Sequence, residues 1–479
     1  MMENFSRQTI VTIKMPASMY INRSIQPLQQ RIKHYATASD AFDFFNQLTS
    51  QDLLETIEST LPEHRERLFP PTETLSMFLA QALKPDRSCQ SIVNDAAVKR
   101  LMYSLPKCST HTGGYCKARQ RLPLDMVSTA MRHTGKLITD QAPMAWRWNG
   151  RRVRLVDGTT VTLPDTQSNQ AVYPQQNNQK PGLGFPICRL VGVTCLSSGA
   201  LLNAAMGGYK GKGSSEQALL RSLLDTFESG DMMLGDAFYG TYFLLSELQS
   251  RQVDALFEQH GSRRRTTDFS LGKRLGERDH LITLIKPKLR PAWMTEAQYQ
   301  SAPETLTIRE LEVGGRVLIT TLTCPNTFAK ESLKALYKRR WQVELDIRNI
   351  KTTMGMETLS CKTPQMCEKE LWVYLLAYNL IRLIMAQSAL LADVLPRSLS
   401  FKHTLQLWLV WSKIPNQPDD QESVVRLLAL VAERSIGNRP GRIEPRAIKR
   451  RPKPYPLLTK IRSEAREEVR KFGHPKKLK

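Results

Sequence analysis

The hydrophobic period changes several times along the chain, and each change predicts a change of element. From residue 1 to about 145, apolar positions recur at steps of three and four. DAFDFFNQL, TETLSMFLAQAL and DMVSTAMRHTGKLI each carry one apolar face and predict helices. Pro70 and Pro71, followed by Thr72 and Thr74, mark a helix start. Near residue 150 the period drops to two. RRVRLVDGTTVTL puts Val153, Leu155 and Asp157 on one face of a strand, with Arg152 and Arg154 on the other. RLVGVTCL and ALLNAAMGG follow as strands, split by the turn SSG. SSEQALLRSLLDTF reads as a helix with Ser214 and Gln217 in capping-box register. DMMLGDAFYG is then a strand, TYFLLSELQSRQ a helix and VDALFEQHG a strand. Three strands followed by helix, strand, helix and strand describe a mixed α/β sheet covered by helices.

Residues 262–328 interrupt that order. RRRTTDFSLGKRLGERD is polar, and HLITLIKPKL, TLTIRELEV and RVLITTLTC alternate as strands, so this stretch predicts a β insertion. Helical texture resumes near Ala329. The longest apolar run, Leu371 to Leu395, is long enough for a membrane span, but Asn379, Arg382 and Gln387 interrupt it. It is read as a buried core helix, with no membrane partner. The N-terminus lacks the apolar core and cleavage site of a secretory signal. The organisation expected is therefore a helical N-terminal region (1–145), a core in two parts (146–261 and 329–395) around the insertion (262–328), and a helical C-terminal region with a basic tail (396–479).

Charge adds a partner. The chain of 479 residues has 68 Lys+Arg against 45 Asp+Glu, a net charge of +23. Such a field draws polyanions by counterion release, and nucleic acid is the expected partner. The tail from Gly437 to Lys479 holds 15 Lys+Arg and 4 Asp+Glu, and its segment GRIEPRAIKRRPKPYP reads as an extended arm. YCKARQRLP adds Lys117, Arg119 and Arg121 to the basic N-terminal region. The eight cysteines form no CxxC pair. Cys108, His111 and Cys116 lack a fourth ligand, so reduced thiols of a cytoplasmic protein are expected. GGYKGKGSS lacks the lysine of a P-loop at either register and is read as a basic turn.

The segment YKRRWQVELDIRNIK concentrates chemistry on one helix face. At 100° per residue, Tyr337, Arg340, Glu344 and Lys351 share an arc of about 60°. Val343, Ile347 and Ile350 form an apolar stripe beside it. One carboxylate flanked by a phenol, a guanidinium and an ammonium suits a metal ion next to a phosphate backbone. Trp341 lies nearby and suits either base stacking or core packing.

Phosphoryl transfer with two divalent ions needs acidic ligands on rigid elements. Asp157, before Gly158, and Asp236, after Gly235, each end a predicted strand, where sites in helix-covered sheets gather. Taken alone, a strand-end Asp is more often a turn residue. The order Asp, Asp, Glu, at gaps of 79 and 108 residues, changes that balance. Asp346, about 160° from Glu344 on the helix wheel, is expected to be solvated. Asp165, beyond a proline, and Asp231, ahead of its strand, are equally poor candidates as metal ligands.

Tyr, two residues, Arg, three residues, Glu, six residues, Lys resembles the signature of the insertion-sequence-four family of DDE transposases. VDGTTVTLPDT and LGDAFYGTY resemble that family's other two motif regions. The resemblance spans about residues 40 to 450. It implies an RNase H-like catalytic core in which Asp157, Asp236 and Glu344 bind two Mg²⁺ ions, with Mn²⁺ able to substitute. It implies DNA-backbone roles for Tyr337, Arg340 and Lys351. It further implies terminal inverted repeats and target DNA as partners, a homodimer bridging two ends, and a bacterial cytoplasmic, nucleoid-associated location. Alternatives are an RNase H-like nuclease that cuts without joining, and a transposase-derived DNA-binding protein that has lost catalysis.

Overall fold

The computed structural model describes residues 68–437, apart from 103, 105–106, 212, 262–265 and 412–420, together with 458–474. The helix expected in DAFDFFNQL and the basic segment 441–456 lie outside those residues. The expected strands form one sheet. Strands β1 (Val153–Thr162), β2 (Ile187–Cys195) and β3 (Leu201–Gly208) make an antiparallel meander. Strands β4 (Met232–Leu234) and β5 (Asp254–Glu258) then add parallel to β1 on its other side. The insertion continues this sheet and forms no separate module. Strands β6 (Lys273–Gly276), β7 (Asp279–Ile285), β8 (Thr305–Val313) and β9 (Arg316–Thr320) extend it, with β9 antiparallel to β5. The full order is β3-β2-β1-β4-β5-β9-β8-β7-β6, a mixed α/β architecture.

Strand β6 was hidden in the polar stretch KRLG, because an edge strand needs little apolar surface. The insertion is tied back by Arg309, which is 1% exposed. Its guanidinium donates to Asp279 at 2.6 Å and to the carbonyl of Phe328 at 2.7 Å, just ahead of the returning helix.

Both faces of β1 are covered. Leu155 and Val156, adjacent in sequence, lie in different hydrophobic clusters, as expected for a central strand in a helix-covered sheet. The face that carries Arg152 and Arg154 is therefore not open to solvent at Arg154. Arg154 is 3% exposed and pairs with the fully buried Asp231, Nε to Oδ2 2.9 Å. Arg152 reaches the same carboxylate at 2.8 Å. A buried charge needs such partners.

Helices α1 (Pro71–Leu83), α2 (Cys89–Met102), α3 (Gly113–Arg121) and α4 (Leu124–Asp140) precede the sheet. Arg119 on α3 does not face solvent. It is 7% exposed, lies 4.8 Å over the Phe78 ring and donates to Gln81. Lys117 and Arg121 remain exposed. Short helices α5 (Gln167–Val172), α6 (Glu216–Arg221) and α7 (Tyr242–Ser250) link the strands, and α8 (Glu296–Ser301) sits in the insertion. The cap of α6 is Ser215, which accepts from the Ala218 amide; the expected cap was Ser214.

The returning segment runs through α9 (Lys330–Lys338), a 3-10 turn at Arg339–Trp341, α10 (Gln342–Arg348) and a π turn at Asn349–Thr353. Helix α11 (Pro364–Ala392) follows as a long core helix, with α12 (Phe401–Trp411), α13 (Gln421–Ala432) and α14 (Arg462–Phe472) after it. Among the described residues α11 is the one helix long and apolar enough to cross a membrane, and 89% of its most apolar window is buried inside the protein. Its Asn379 accepts from the Leu201 amide and donates to the carbonyls of Leu201 and Met131, tying β3 and α4 to the core helix. Gly135 on α4 permits that approach, since a Cβ there would meet the Leu201 carbonyl oxygen at 2.1 Å.

Asp346 is not solvated. It is 2% exposed and accepts from Arg382 on α11 at 2.6 Å and from Arg397 at 2.8 and 3.0 Å. The wheel treated α10 as a helix with one free side, whereas α11 and the turn at Pro396–Ser398 cover that side. Replacing Asp346 by Ala leaves two buried guanidinium groups uncompensated. The expected loss is about 3–5 kcal/mol in denaturant unfolding; a loss below about 1 kcal/mol would show the cluster to be structurally idle.

Candidate active site

The parallel pairing of β1 with β4 ends at Leu155 opposite Leu234. Asp157 and Asp236 each stand two residues beyond that last pair. The register thus sets them side by side at the open end of the ladder, on the side of the sheet where α9 and α10 pack. Asp157 does not close its strand, as the following glycine led one to expect. Strand β1 runs on to Thr162, and Asp157 sits opposite Gly192 of β2. What Gly158 provides is space: a Cβ there would lie 2.5 Å from the Cδ of Glu216. Asp236 caps a 3-10 turn, Ala237–Tyr239, by accepting from the Phe238 amide at 2.9 Å.

Glu344 reaches the same place from α10. Arg340, one turn earlier, donates to Glu344 Oε1 at 2.9 Å, and its other terminal nitrogen lies 3.9 Å from Asp157 Oδ2. The side chains of Asp157, Arg340 and Glu344 are 19%, 18% and 34% exposed, so the group is screened yet open on one side. The structure brings Asp157, Asp236, Arg340 and Glu344 together. Tyr337 adjoins the group from the core side, its phenol within the field of Arg340. That ring is 7% exposed in the cluster with Leu336 and Val343, and its hydroxyl donates to Glu258 at 3.3 Å. Lys351 is half-buried in the π turn, near Cys188. Cys188 pairs with Val161, four residues along β1 from Asp157, or about 13 Å at the rise of a strand. Trp341 is 54% exposed. One uniform wheel put all four signature residues on one stripe, but the 3-10 and π turns change the angular step.

Burial pushes the Asp157 carboxyl up to about 6; its own Gly158 amide and Arg340 oppose the rise, while Asp236 and Glu216 add to it. Burial likewise raises Glu216, with Arg189 opposing and Asp236 assisting. Glu216, at the start of α6, is the acidic residue the sequence reading missed. A carboxylate in a first helical turn is ordinary, so nothing in the local pattern marked it.

The donors gathered here are carboxylates alone, with neither thiolate nor imidazole, which suits a hard divalent cation. In the present side-chain positions, no three His, Cys, Asp or Glu among the described residues close round one ion. Arg340 supplies the positive charge between Asp157 and Glu344 instead. All eight cysteines are free.

The model of the Transposase DDE domain matches residues 148–380, a span that contains all three carboxylates. The chain is 29% identical over 435 residues to the Transposase InsG for insertion sequence element IS4 of Escherichia coli (strain K12), covering 86% of this chain and 92% of that protein. The chain is a transposase of an insertion sequence, similar to those of the insertion-sequence-four family. Shorter likenesses are to the Putative transposase InsZ of the same strain, 28% identical over 136 residues (28% of this chain, 44% of that one), and to the Transposase for insertion sequence element IS421 of Escherichia coli, 32% identical over 88 residues (18% and 23%). A solved piggyBac transposase synaptic complex with hairpin DNA aligns at TM-score 0.40 and 8% identity, covering 81% of this chain and 85% of that chain. The transposase is thus an enzyme of DNA strand cleavage and transfer, in a family that uses divalent metal ions.

The raised Asp157 carboxyl makes the stability of the metal-free transposase fall with rising pH. The folded chain holds this proton up to about pH 6, whereas an unfolded Asp gives it up near its ordinary value of 3.8. Between those limits the native state binds more protons than the unfolded one, so stability present below about pH 4 is lost by about pH 6. Asp157→Asn should therefore stabilise the transposase by about 1–3 kcal/mol at pH 7.5 and by almost nothing at pH 4. Urea unfolding at the two pH values checks this; an equal gain at both contradicts it.

Proposed function

We propose that Asp157, Asp236 and Glu344 are the catalytic carboxylates of this transposase and its divalent-ion ligands. They would hold two Mg²⁺ ions, with Mn²⁺ able to substitute. The observation that carries this reading is the meeting of the three at the end of the β1–β4 ladder, with Arg340 spanning Asp157 and Glu344. When bound, the two ions would activate the attacking oxygen and stabilise the leaving one. Arg340 then becomes free to grip a DNA phosphate through its planar fork, and Lys351 to act on the backbone further along the groove. Tyr337, buried against the core, would serve the DNA face by fixing the start of the helical segment from within.

Water would attack a phosphodiester at the element's terminal inverted repeat, breaking the P–O3′ bond and leaving a 3′-hydroxyl. That hydroxyl would attack a phosphodiester of target DNA, forming a new P–O bond as the target's 3′-oxygen leaves. The sheet order β3-β2-β1-β4-β5, an antiparallel meander extended by two parallel strands, supports an RNase H-like core. We divide the chain into that core (146–261 and 329–395), the β insertion (262–328), an N-terminal DNA-binding region (1–145) and a C-terminal region with its basic arm (396–479). Two copies would bridge the two element ends in the bacterial cytoplasm, at the nucleoid.

Glu344→Gln keeps the shape of the side chain and removes its charge. With Mg²⁺ and a labelled DNA carrying the element's own ends, the wild type should nick and join. The variant should bind the ends with affinity within about threefold of wild type and lose nicking and joining by about 10³-fold or more. Cleavage by the variant at the wild-type rate would sink the carboxylate assignment.

A further inference from the structure

Beside the three carboxylates, Glu216 and Tyr239 bring polar ends that the Tyr-Arg-Glu-Lys signature does not account for. Tyr239 is 0% exposed, and its hydroxyl has no hydrogen-bond partner. The charges acting on that phenol are, in order, Glu216, Asp157 and Asp236, with Arg189 opposing them, so its polar end faces the acidic group. Gly235 makes room for the ring: a Cβ there would lie 2.8 Å from Tyr239 Cδ2. A buried hydroxyl normally has a partner, and leaving one without costs about 1–3 kcal/mol. A site that tolerates such a group is built for an oxygen-bearing ligand, a cation with its water or a phosphate.

Glu216 shows the same incompleteness. Its carboxyl presses on Gly158, the residue after Asp157, in space that any side chain at 158 would fill. Among the described residues its one ion pair is with Arg189, at 3.8 Å, which is too long for a hydrogen bond. Arg189 donates Nη1 to the Ser214 carbonyl at 2.9 Å and stacks 5.0 Å over Tyr209, while its Nε, the atom facing Glu216, has no hydrogen-bond partner. A carboxylate serving only to pair with Arg189 would close to hydrogen-bond distance. This one is held short of it, next to two other acids that repel it.

We propose that Glu216 is a fourth carboxylate of the divalent-cation site, with the Tyr239 hydroxyl completing the shell of oxygens round the bound ion. This rests on the reading of Asp157, Asp236 and Glu344 as ligands. Glu216 enters from the face of β1 opposite to Glu344, so the two glutamates flank the Asp157–Asp236 pair. A cation on the Glu216 side neutralises the acids that Arg340 does not reach.

The test is Mn²⁺ binding to the full chain without DNA, followed by electron paramagnetic resonance of the free ion. Wild type, Glu216→Gln, Glu216→Asp, Tyr239→Phe and Asp157→Asn are compared, with thermal unfolding in chelator as the control for folding. Glu216→Gln should weaken Mn²⁺ binding about tenfold or more, or remove one ion from the stoichiometry, with no drop in the chelator melting temperature. Glu216→Asp should recover part of the affinity, and Tyr239→Phe should cost a smaller factor. If Asp157→Asn loses Mn²⁺ while Glu216→Gln binds like wild type, the fourth-carboxylate proposal fails and the three-carboxylate reading survives. If neither variant loses Mn²⁺, both fail. A Glu216→Gln chain that melts lower in chelator yet binds Mn²⁺ normally assigns Glu216 to structure alone and also overturns the proposal.

Discussion

The parallel register between β1 and β4 is the constraint on which the site depends. Only three residue pairs make up that ladder, but they decide which two aspartates meet. A slip by one residue would turn either carboxylate to the opposite face of the sheet. Hydrophobic burial on both sides fixes the register, since Leu155 and Leu234 belong to one cluster while Val156 and Met233 belong to the other. A register error would exchange every one of those side chains between two dry environments. The apolar core thereby sets the geometry of the polar site at its edge.

The second carrier of the site is the segment from α9 to the π turn, and polar clamps hold it as firmly as apolar contact does. Val343 and Ile350 dock the segment, and Asp346 locks its other side to α11 and to Arg397. Arg397 also donates to the carbonyls of Cys195 and Leu196 at the end of β2. Glu344 is therefore tied to the sheet that carries Asp157 through two residues and one buried carboxylate. The insertion contributes from the far end, where Arg309 grips the Phe328 carbonyl just ahead of α9. An interruption of 67 residues in the core thus lengthens the sheet and anchors the returning helix.

The site itself is electrostatically uncomfortable. Burial raises Asp157 and Glu216, neighbouring acids add to the rise, and Arg340 and Arg189 oppose it without cancelling the cost of burial. On the proposed reading a bound cation relieves that cost, so folding tolerates here what binding would resolve. The exposed lysines and arginines among the described residues carry no such local cost, because they lie in water.

Legible in the sequence were the order and type of most strands and helices, the net positive charge, the three acids in order and the signature helix. Those are readable because periodicity and fixed spacing are local properties, set by the geometry of one strand or one helix. Contacts between distant segments were beyond it. The burial of Asp346, Arg119 and Arg154, the cap at Ser215 in place of Ser214, and the retreat of Tyr337 into the core each depend on what another element brings to that face. Two turns of non-α geometry were equally invisible, and they separate Lys351 from the stripe it shares on an ideal wheel. Glu216 shows most plainly what only the tertiary structure decided. Its local pattern is that of any first-turn acid, and it becomes part of the site only because α6 lays it on Gly158, beside Asp157.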